Sequence, residues 1–464
     1  MSDDNTVPTT ASDDLNYTPH LDRGEQNQLL DALKITDAGE FREALRPIHP
    51  ADFSDQFEQL STDQREIIIS RGGHLITAEV LAELEDEVVE DILPLLPSAQ
   101  IAEAIGDLDN DDATQIVEEM EDAQREEVLE RLDDVDRAAL EASLTFDEET
   151  IGRLMQREFV AAPPFWTVGD TIDHMRDTGD DLPDLFHNIW IVDTAFRPVG
   201  FIPVSQLIRS RREQSLQSIL SDGVITVEQE MDQEEAAYLF EKYSLISAPV
   251  TDEAGRIVGI MTVDDIVEII QDENKEDILA LAGVSDAGLT DTALSTVKSR
   301  APWLFVNLFT AILASIVIAQ FDFAIAKIVA LAVLMPIVAS MGGNAGTQTL
   351  VVAVRALSER DLTSQTAWRS VRREALAGIL NGMIFATLLG IIAFVWFGDQ
   401  RLALVAFAAM IVNHIFAALA GILVPLGLKR AGADPAVSSS VFVTTVTDII
   451  GFFAFLGLAA LFLL

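Results

Sequence analysis

The sequence predicts a multidomain membrane protein: an all-α helical-repeat domain, an α/β pair of similar modules, a connecting helix and a five-helix α transmembrane domain. Three observations carry this expectation. A helical pattern recurs with a 24-residue step in the first third of the chain. Two later segments repeat the same order of β-rich runs and helices. Five long apolar runs then occupy most of residues 301–464. Charge divides the chain in the same place. Of 30 Lys+Arg and 75 Asp+Glu, 11 and 7 fall in residues 298–464, leaving 19 and 68 for residues 1–297.

The strongly acidic part argues against nucleic acid, whose phosphates it would repel. It suits cation binding and equally a halophile's solvated, self-repelling surface. The chain has no cysteine, which excludes disulfides and thiolate metal sites. Residues 1–35 are expected as an acidic disordered tail, because the first 30 are polar, Asp-rich and without periodicity. With no apolar core region there, a secretory signal is not expected.

Residues 36–150 read as a helical superhelix. Asp55-Gln56-Phe57-x-x-Leu60 recurs as Glu79-Val80-Leu81-x-x-Leu84, Glu103-Ala104-Ile105-x-x-Leu108 and Glu127-Val128-Leu129-x-x-Leu132. Ile68, Ile92, Ile116 and Leu140 recur at the same step. Such a period implies stacked helical hairpins, each burying its apolar face against its neighbours.

Residues 151–272 hold the paired modules, 151–222 and 223–272. In the first, Phe159–Ala161, a helix near Val168–Asp177, Ile189–Val192 and Val199–Ile202 lead to Val204–Ser210. In the second, Val224–Val227, a helix over Gln233–Tyr243, Ala248–Val250 and Ile257–Met261 lead to Val263–Ile270. The pair resembles tandem CBS domains, a family that packs as a pseudo-symmetric unit and often binds adenine nucleotides. Its nucleotide motif is matched by Gly259-Ile260-Met261-Thr262-Val263-Asp264-Asp265. The resemblance implies that Thr262 meets phosphate and Asp265 the ribose hydroxyls of ATP or another adenine nucleotide. The first module departs, with Pro203 and Gln206 at the Thr and Asp positions.

Residues 273–300 are expected as the connecting helix. Glu268, Asp272, Glu273, Glu276 and Asp277 place carboxylates beside the membrane entrance, where they can respond to cations. An ordinary charged linker would carry them too.

The apolar runs are Trp303–Ala319, Ile325–Val354, Ala375–Phe397, Leu402–Leu426 and Val437–Leu464, each able to cross a hydrocarbon core of about 30 Å. The second is over-long and holds Pro336 and a polar insert, so a kinked or broken helix is expected. Lys298, Arg300, Arg355, Arg360, Arg369, Arg372, Arg373, Lys429 and Arg430 fall on one side, with Lys327 and Arg401 near the other. The positive-inside rule then puts the soluble body in the cytoplasm and the C-terminus outside.

Asp448 is the one ionisable side chain after Ala436. With Ser440 and Thr444 it forms a polar stripe at four-residue spacing. A carboxylate in a membrane helix is costly and should face a bundle interior or a water-filled path. The insert "PIVASMGGNAGTQ" adds Asn344 and Gln348, four apart, and Gly342, Gly343 and Gly346 without side-chain bulk. Small residues can serve helix packing, with amides as glue between helices. Beside Asp448, the reading of Gly342, Gly343, Asn344 and Gln348 as the lining of a hydrated path is favoured.

The domain order, with "PIVASMGGNAGTQ", "AGADPA" and "TTVTDIIG", resembles the MgtE family of magnesium channels and transporters from about residue 36 onward. That resemblance implies a homodimer in the plasma membrane with its pore at the subunit interface. It implies that Asp448 selects the ion, that Thr444 and Ser440 line its route, and that the connecting helix is a plug held shut by cytoplasmic Mg²⁺. The regulatory carboxylates it implies are Asp111, Glu234, Asp265, Glu268, Glu273, Glu276 and Asp277. Gln115 and Ser244 stand where family members can have acids.

The expected function is therefore Mg²⁺ uptake gated by cytoplasmic Mg²⁺, not an enzymatic activity. Two copies of Asp448 suit an ion that keeps several waters and takes one or two carboxylates. No G-x-x-x-x-G-K-[ST] loop is present for ATP-driven pumping. The rivals are transport of another divalent ion such as Mn²⁺ or Co²⁺, and a membrane-anchored nucleotide sensor that moves no ion.

Overall fold

In three dimensions the 24-residue step is a stack of paired helices. The computed structural model describes residues 28–35, 37–45, 48–179, 182–183, 185–221, 223–284, 293–358, 364–436 and 439–464. Residues 1–27 of the expected tail, Arg360 and most of the stretch after Gly283 lie outside the described residues. Two compact units are present, Met1–Ile269 and Ile270–Leu464.

Helices α1 (Gln28–Ala32), α2 (Ala38–Leu45), α3 (Pro50–Glu58), α4 (Thr62–Gly72), α5 (Ala78–Ala82), α6 (Asp86–Ile92), α7 (Ser98–Gly106), α8 (Asn110–Glu118), α9 (Asp122–Leu129) and α10 (Asp134–Ser143) form the repeat domain. Every apolar repeat position read from the sequence joins one cluster: Phe57, Leu60, Ile68, Val80, Leu81, Leu84, Ile92, Ala104, Ile105, Ile116, Val128, Leu132 and Leu140 are buried, and Leu108 and Leu129 pack against them. Polar side chains also close helix ends in this domain. Arg65 Nη2 donates to the Glu58 carbonyl at 2.7 Å and Arg125 Nη2 to that of Glu118 at 2.8 Å. Each closes the exposed C-terminal carbonyls of a helix seven residues back, where a cation is favoured.

After α11 (Ile151–Leu154) come β1 (Ala161–Ala162), α12 (Val168–Asp177), β2 (Asn188–Val192), β3 (Pro198–Pro203) and α13 (Val204–Arg209). Then β4 (Val227–Glu228), α14 (Gln233–Tyr243), β5 (Ser247–Thr251), β6 (Ile257–Thr262) and α15 (Val263–Ala282) repeat that order. Both sheets have the topology parallel then antiparallel, β1-β2-β3 and β4-β5-β6. The register shift between Ile191 and Val192 recurs between Val250 and Thr251. Trp190 and Val192 of one sheet share a buried cluster with Ile257 and Ile260 of the other. Gly259 is a required glycine, since a Cβ there would lie 2.6 Å from the Gln156 carbonyl. That close approach permits the reciprocal backbone bonds between Gln156 and Ile260.

The second unit contains the end of α15, then α16 (Ala293–Ala319), α17 (Asp322–Lys327), α18 (Ala330–Ser358), α19 (Ser364–Phe397), α20 (Gln400–Arg430) and α21 (Ser439–Phe462). Five of these helices are long and apolar enough to span a membrane. The over-long second run does break, but at Ile328–Val329 between α17 and α18. Pro336 and the whole polar insert lie inside continuous α18, so the insert is helix and not unwound backbone. The most buried span is α20, with 56% of its apolar window inside the body against 6% for α16. The expected connecting segment is two pieces: the end of a helix that begins at Val263, and the first turns of α16.

Candidate functional site

Two polar constellations stand out, one in each unit. In the membrane unit, α21 turns Val441, Val443, Thr447 and Gly451 into the body and leaves Ser440, Thr444 and Asp448 half-buried along one side. The Thr444 hydroxyl donates to the Ser440 and Val441 carbonyls at 2.9 and 3.0 Å. With its proton turned to the backbone, its oxygen lone pairs are left for a cation.

On α18 the glycines and amides separate onto different faces. Gly342 and Gly346 are buried. A Cβ on Gly342 would meet the Asn413 side chain of α20, and one on Gly346 would meet Val443 of α21. By contrast Ser340, Asn344 and Gln348, spaced by four, are exposed, and a Cβ on Gly343 would meet nothing within 4 Å. Packing by small residues and an open polar stripe therefore coexist in one insert.

In the soluble unit the structure brings Asp111 and Asp265 together. Asp111 opens α8, Asp265 sits in the first turn of α15, and the charge of Asp265 raises the Asp111 pKa. Burial is the larger cause and holds Asp111 well above the ordinary carboxylate value. Asp112 is pushed up to about 7 by burial, then by Asp109, Asp265 and Glu268. Asp265 is also raised, chiefly by burial. The Asp111 Oδ1 atom is buried and accepts no hydrogen bond among the described residues. Like charges packed this way oppose folding unless a cation or protons intervene. Such an oxygen donor set fits a hard divalent ion. Among the described residues no three carboxylates are already arranged to hold a metal ion.

The other sequence-implied carboxylates are distributed differently. Glu268 joins the cluster around Asp112. Glu234 is exposed in the first turn of α14. Glu273, Glu276 and Asp277 follow on α15 beyond Ile269. Asp109 and Asp112 were not singled out from sequence, although the run Asp109-Asn110-Asp111-Asp112 at a helix start was a visible signal. The two departures have local explanations. Gln115 donates to Asp86 at 2.8 Å, and Ser244 ends α14 with φ 51°.

Thr262 and Asp265 are engaged with each other. The Thr262 hydroxyl donates to Asp265 at 2.7 Å and the Thr262 backbone N–H to the same oxygen at 3.3 Å. This is a helix-start arrangement for α15. It presents both residues at the strand–helix junction of the second module.

Fold and sites together define a multi-pass membrane protein with an acidic soluble body, built from a helical-repeat domain and a CBS pair. A model of the MgtE family, described as a divalent cation transporter, matches residues 335–458. The MgtE intracellular N domain matches 48–149, and the CBS domain matches 151–213 and 216–272. The magnesium transporter MgtE of Thermus thermophilus is 31% identical over 441 residues, covering 94% of this chain and 98% of its own. That of Bacillus subtilis is 30% identical over 425 residues, covering 91% and 94%. Among solved structures, the cytosolic domain of the Mg²⁺ channel MgtE in complex with ATP is 30% identical over 52% of this chain and 98% of its own, with a TM-score of 0.48. The chain belongs to the MgtE family, whose named members are transporters and not enzymes.

Proposed function

We propose that this protein is a homodimeric Mg²⁺ channel or transporter of the plasma membrane, closed by Mg²⁺ on its soluble side. The observation that carries the reading is the half-buried Asp448 in line with Thr444 and Ser440, in a body whose α18 also exposes Asn344 and Gln348. Polar stripes on membrane helices are unfavourable against lipid. A second copy across a two-fold axis would cover them and set two Asp448 carboxylates around a hydrated ion. Those groups select by charge and hydrated size while the ion keeps most of its water. Gly342 lets α18 pack closely on Asn413 of α20, and Gly343, Asn344 and Gln348 would line the same route. In this reading the soluble unit is cytoplasmic and the C-terminus outside, which the basic residues at one set of helix ends support through the positive-inside rule.

On the cytoplasmic side, Mg²⁺ would be held by Asp111 and Asp265 beside Glu268, and Glu234, Glu273, Glu276 and Asp277 are the further regulatory carboxylates that the family resemblance implies. The ion would offset the like-charge repulsion and the desolvation of Asp111 and Asp265, and so favour the closed arrangement by its differential affinity. An adenine nucleotide at the second CBS module would meet Thr262 and Asp265.

Reconstituted protein should pass Mg²⁺ down its gradient, and Asp448→Ala should abolish that flux. Equal flux in the variant would remove Asp448 from the path. Flux of Mn²⁺ or Co²⁺ in place of Mg²⁺ would reassign the ion within the family's divalent class. No flux of any of them would leave the nucleotide sensor.

A further inference from the structure

One fully buried polar side chain of the membrane unit lies on neither stripe. Asn413 lies midway along α20, in the apolar stretch "MIVNHIF", and is fully buried. Its Nδ2 donates to the Val338 carbonyl of α18 at 2.7 Å. Its Oδ1 accepts no hydrogen bond among the described residues. An apolar side chain of similar volume would fill the space without desolvating an amide, so packing alone does not account for it.

Its surroundings do. A Cβ on Gly342 of α18 would lie 2.1 Å from Asn413 Nδ2, and a Cβ on Gly451 of α21 would lie 2.8 Å from the same atom. The amide is therefore pressed between two glycines on the two helices that carry the polar stripes. The bond to Val338 pins it along α18. Gly342 is two residues from Asn344, and Gly451 is three residues from Asp448, less than one helical turn away. Any change in the thickness of the group between the glycines must move one stripe relative to the other.

We propose that Asn413 is a positioning residue that sets the separation of α18 and α21, and through it the ion selectivity at Asp448. This rests on the transport reading above. Asn413 itself does not meet the ion. It acts through the register of the two helices, and selectivity is sensitive to sub-ångström placement of the groups that meet the ion.

The test compares Mg²⁺ and Ca²⁺ flux through full-length protein in liposomes, normalised to folded protein. The variants are Asn413→Leu, Gly451→Ala and, as a control on the same helix, Gly427→Ala, whose added Cβ meets nothing within 4 Å. Asn413→Leu and Gly451→Ala should each lower the Mg²⁺/Ca²⁺ flux ratio several-fold, with Gly427→Ala unchanged. If they lower only the yield or thermal stability and leave the ratio as it was, Asn413 is a structural residue and the proposal is overturned. Should Asn413→Leu fail to assemble, Gly451→Ala decides alone by the same criterion. In parallel, Gly342→Ala should lower the thermal transition in detergent, and adding Asn413→Ala should restore part of the loss. Equal loss with and without the amide refutes the wedge. Absence of Mg²⁺ flux in the unsubstituted protein overturns the transport reading itself, and this assignment with it.

Discussion

Asp111 keeps a buried carboxylate oxygen without a hydrogen-bond donor among the described residues, while the charge of Asp265, from a different domain of the same unit, raises its pKa. Asp112 and Asp265 are raised too. The folded state therefore binds protons that the unfolded chain releases, and stability falls as pH rises. The contribution is complete below the ordinary value of 3.8 and is lost as pH passes through the folded values, about 7 for Asp112. In chelator, the thermal transition of the soluble unit should drop between pH 5 and pH 8. Millimolar Mg²⁺ should remove most of that drop, because the ion takes over from the protons. Asp111→Asn should raise the chelator transition at pH 8 by about 2–6 °C and weaken the Mg²⁺ effect. A pH-independent transition in chelator would refute the repulsive cluster.

The same domain junction is held by a cation. Arg153 is 7% exposed, pairs with Glu118 of the repeat domain, and donates to the Ser143 and Phe146 carbonyls at 3.3 Å each. Removing one partner of a largely buried pair leaves the other without compensation. Arg153→Ala should cost about 3 kcal/mol, seen as earlier thermal unfolding of the soluble unit and faster proteolysis near residues 144–150. Charge reversal of both partners should recover less than half of the loss, since the carbonyls would still lack a donor.

The polar insert of α18 makes a prediction by contrast. A Cβ on Gly421 of α20 would lie 2.6 Å from the Gly346 carbonyl and 2.7 Å from Thr349. Gly421→Ala must push α18 and α20 apart, with an expected loss of about 1–3 kcal/mol in detergent. Gly343→Ala has open space and should leave the thermal transition unchanged. If Gly343 lines the ion route, that silent substitution should still reduce Mg²⁺ flux. Unaltered flux would remove Gly343 from the lining.

Much of this fold was legible in the sequence because its units repeat. The 24-residue step survives in Phe57, Leu81 and Ile105, since each hairpin buries the same positions against the next. The CBS pair was legible for the same reason, down to helices Val168–Asp177 and Gln233–Tyr243. What did not show was partnership across helices. Nothing in the composition of the insert told that Gly342 faces Asn413 while Gly343 faces open space. That division depends on which helix packs where. Asn413 left only a faint mark, an amide in an apolar run. The over-long second run breaks at Ile328–Val329, ahead of Pro336, which continuous α18 accommodates.

The end of α15 is seated among the membrane helices. Ala280 is 8% exposed and shares a buried cluster with Leu350 and Val354 of α18, Ala420 of α20, Val443 of α21 and Ala436 ahead of α21, with Leu281 packed alongside. These contacts join the connecting helix to the helices that bear both polar stripes. An apolar contact of this kind can hold a helix in place, and its strength scales with the area it removes from water. In the gating reading, Mg²⁺ on the upstream carboxylates stabilises the docked position, and loss of Mg²⁺ lets the helix leave. Ala280→Asp puts a carboxylate into that apolar cluster and should favour the undocked state. Flux at millimolar internal Mg²⁺ should then rise towards the unsubstituted protein's flux at low Mg²⁺, and the Mg²⁺ dependence should flatten. Since Asp448 is untouched, the Mg²⁺/Ca²⁺ flux ratio should hold. A variant that conducts less at every Mg²⁺ concentration would mean that the contact supports the open path, and the plug assignment for α15 would fall.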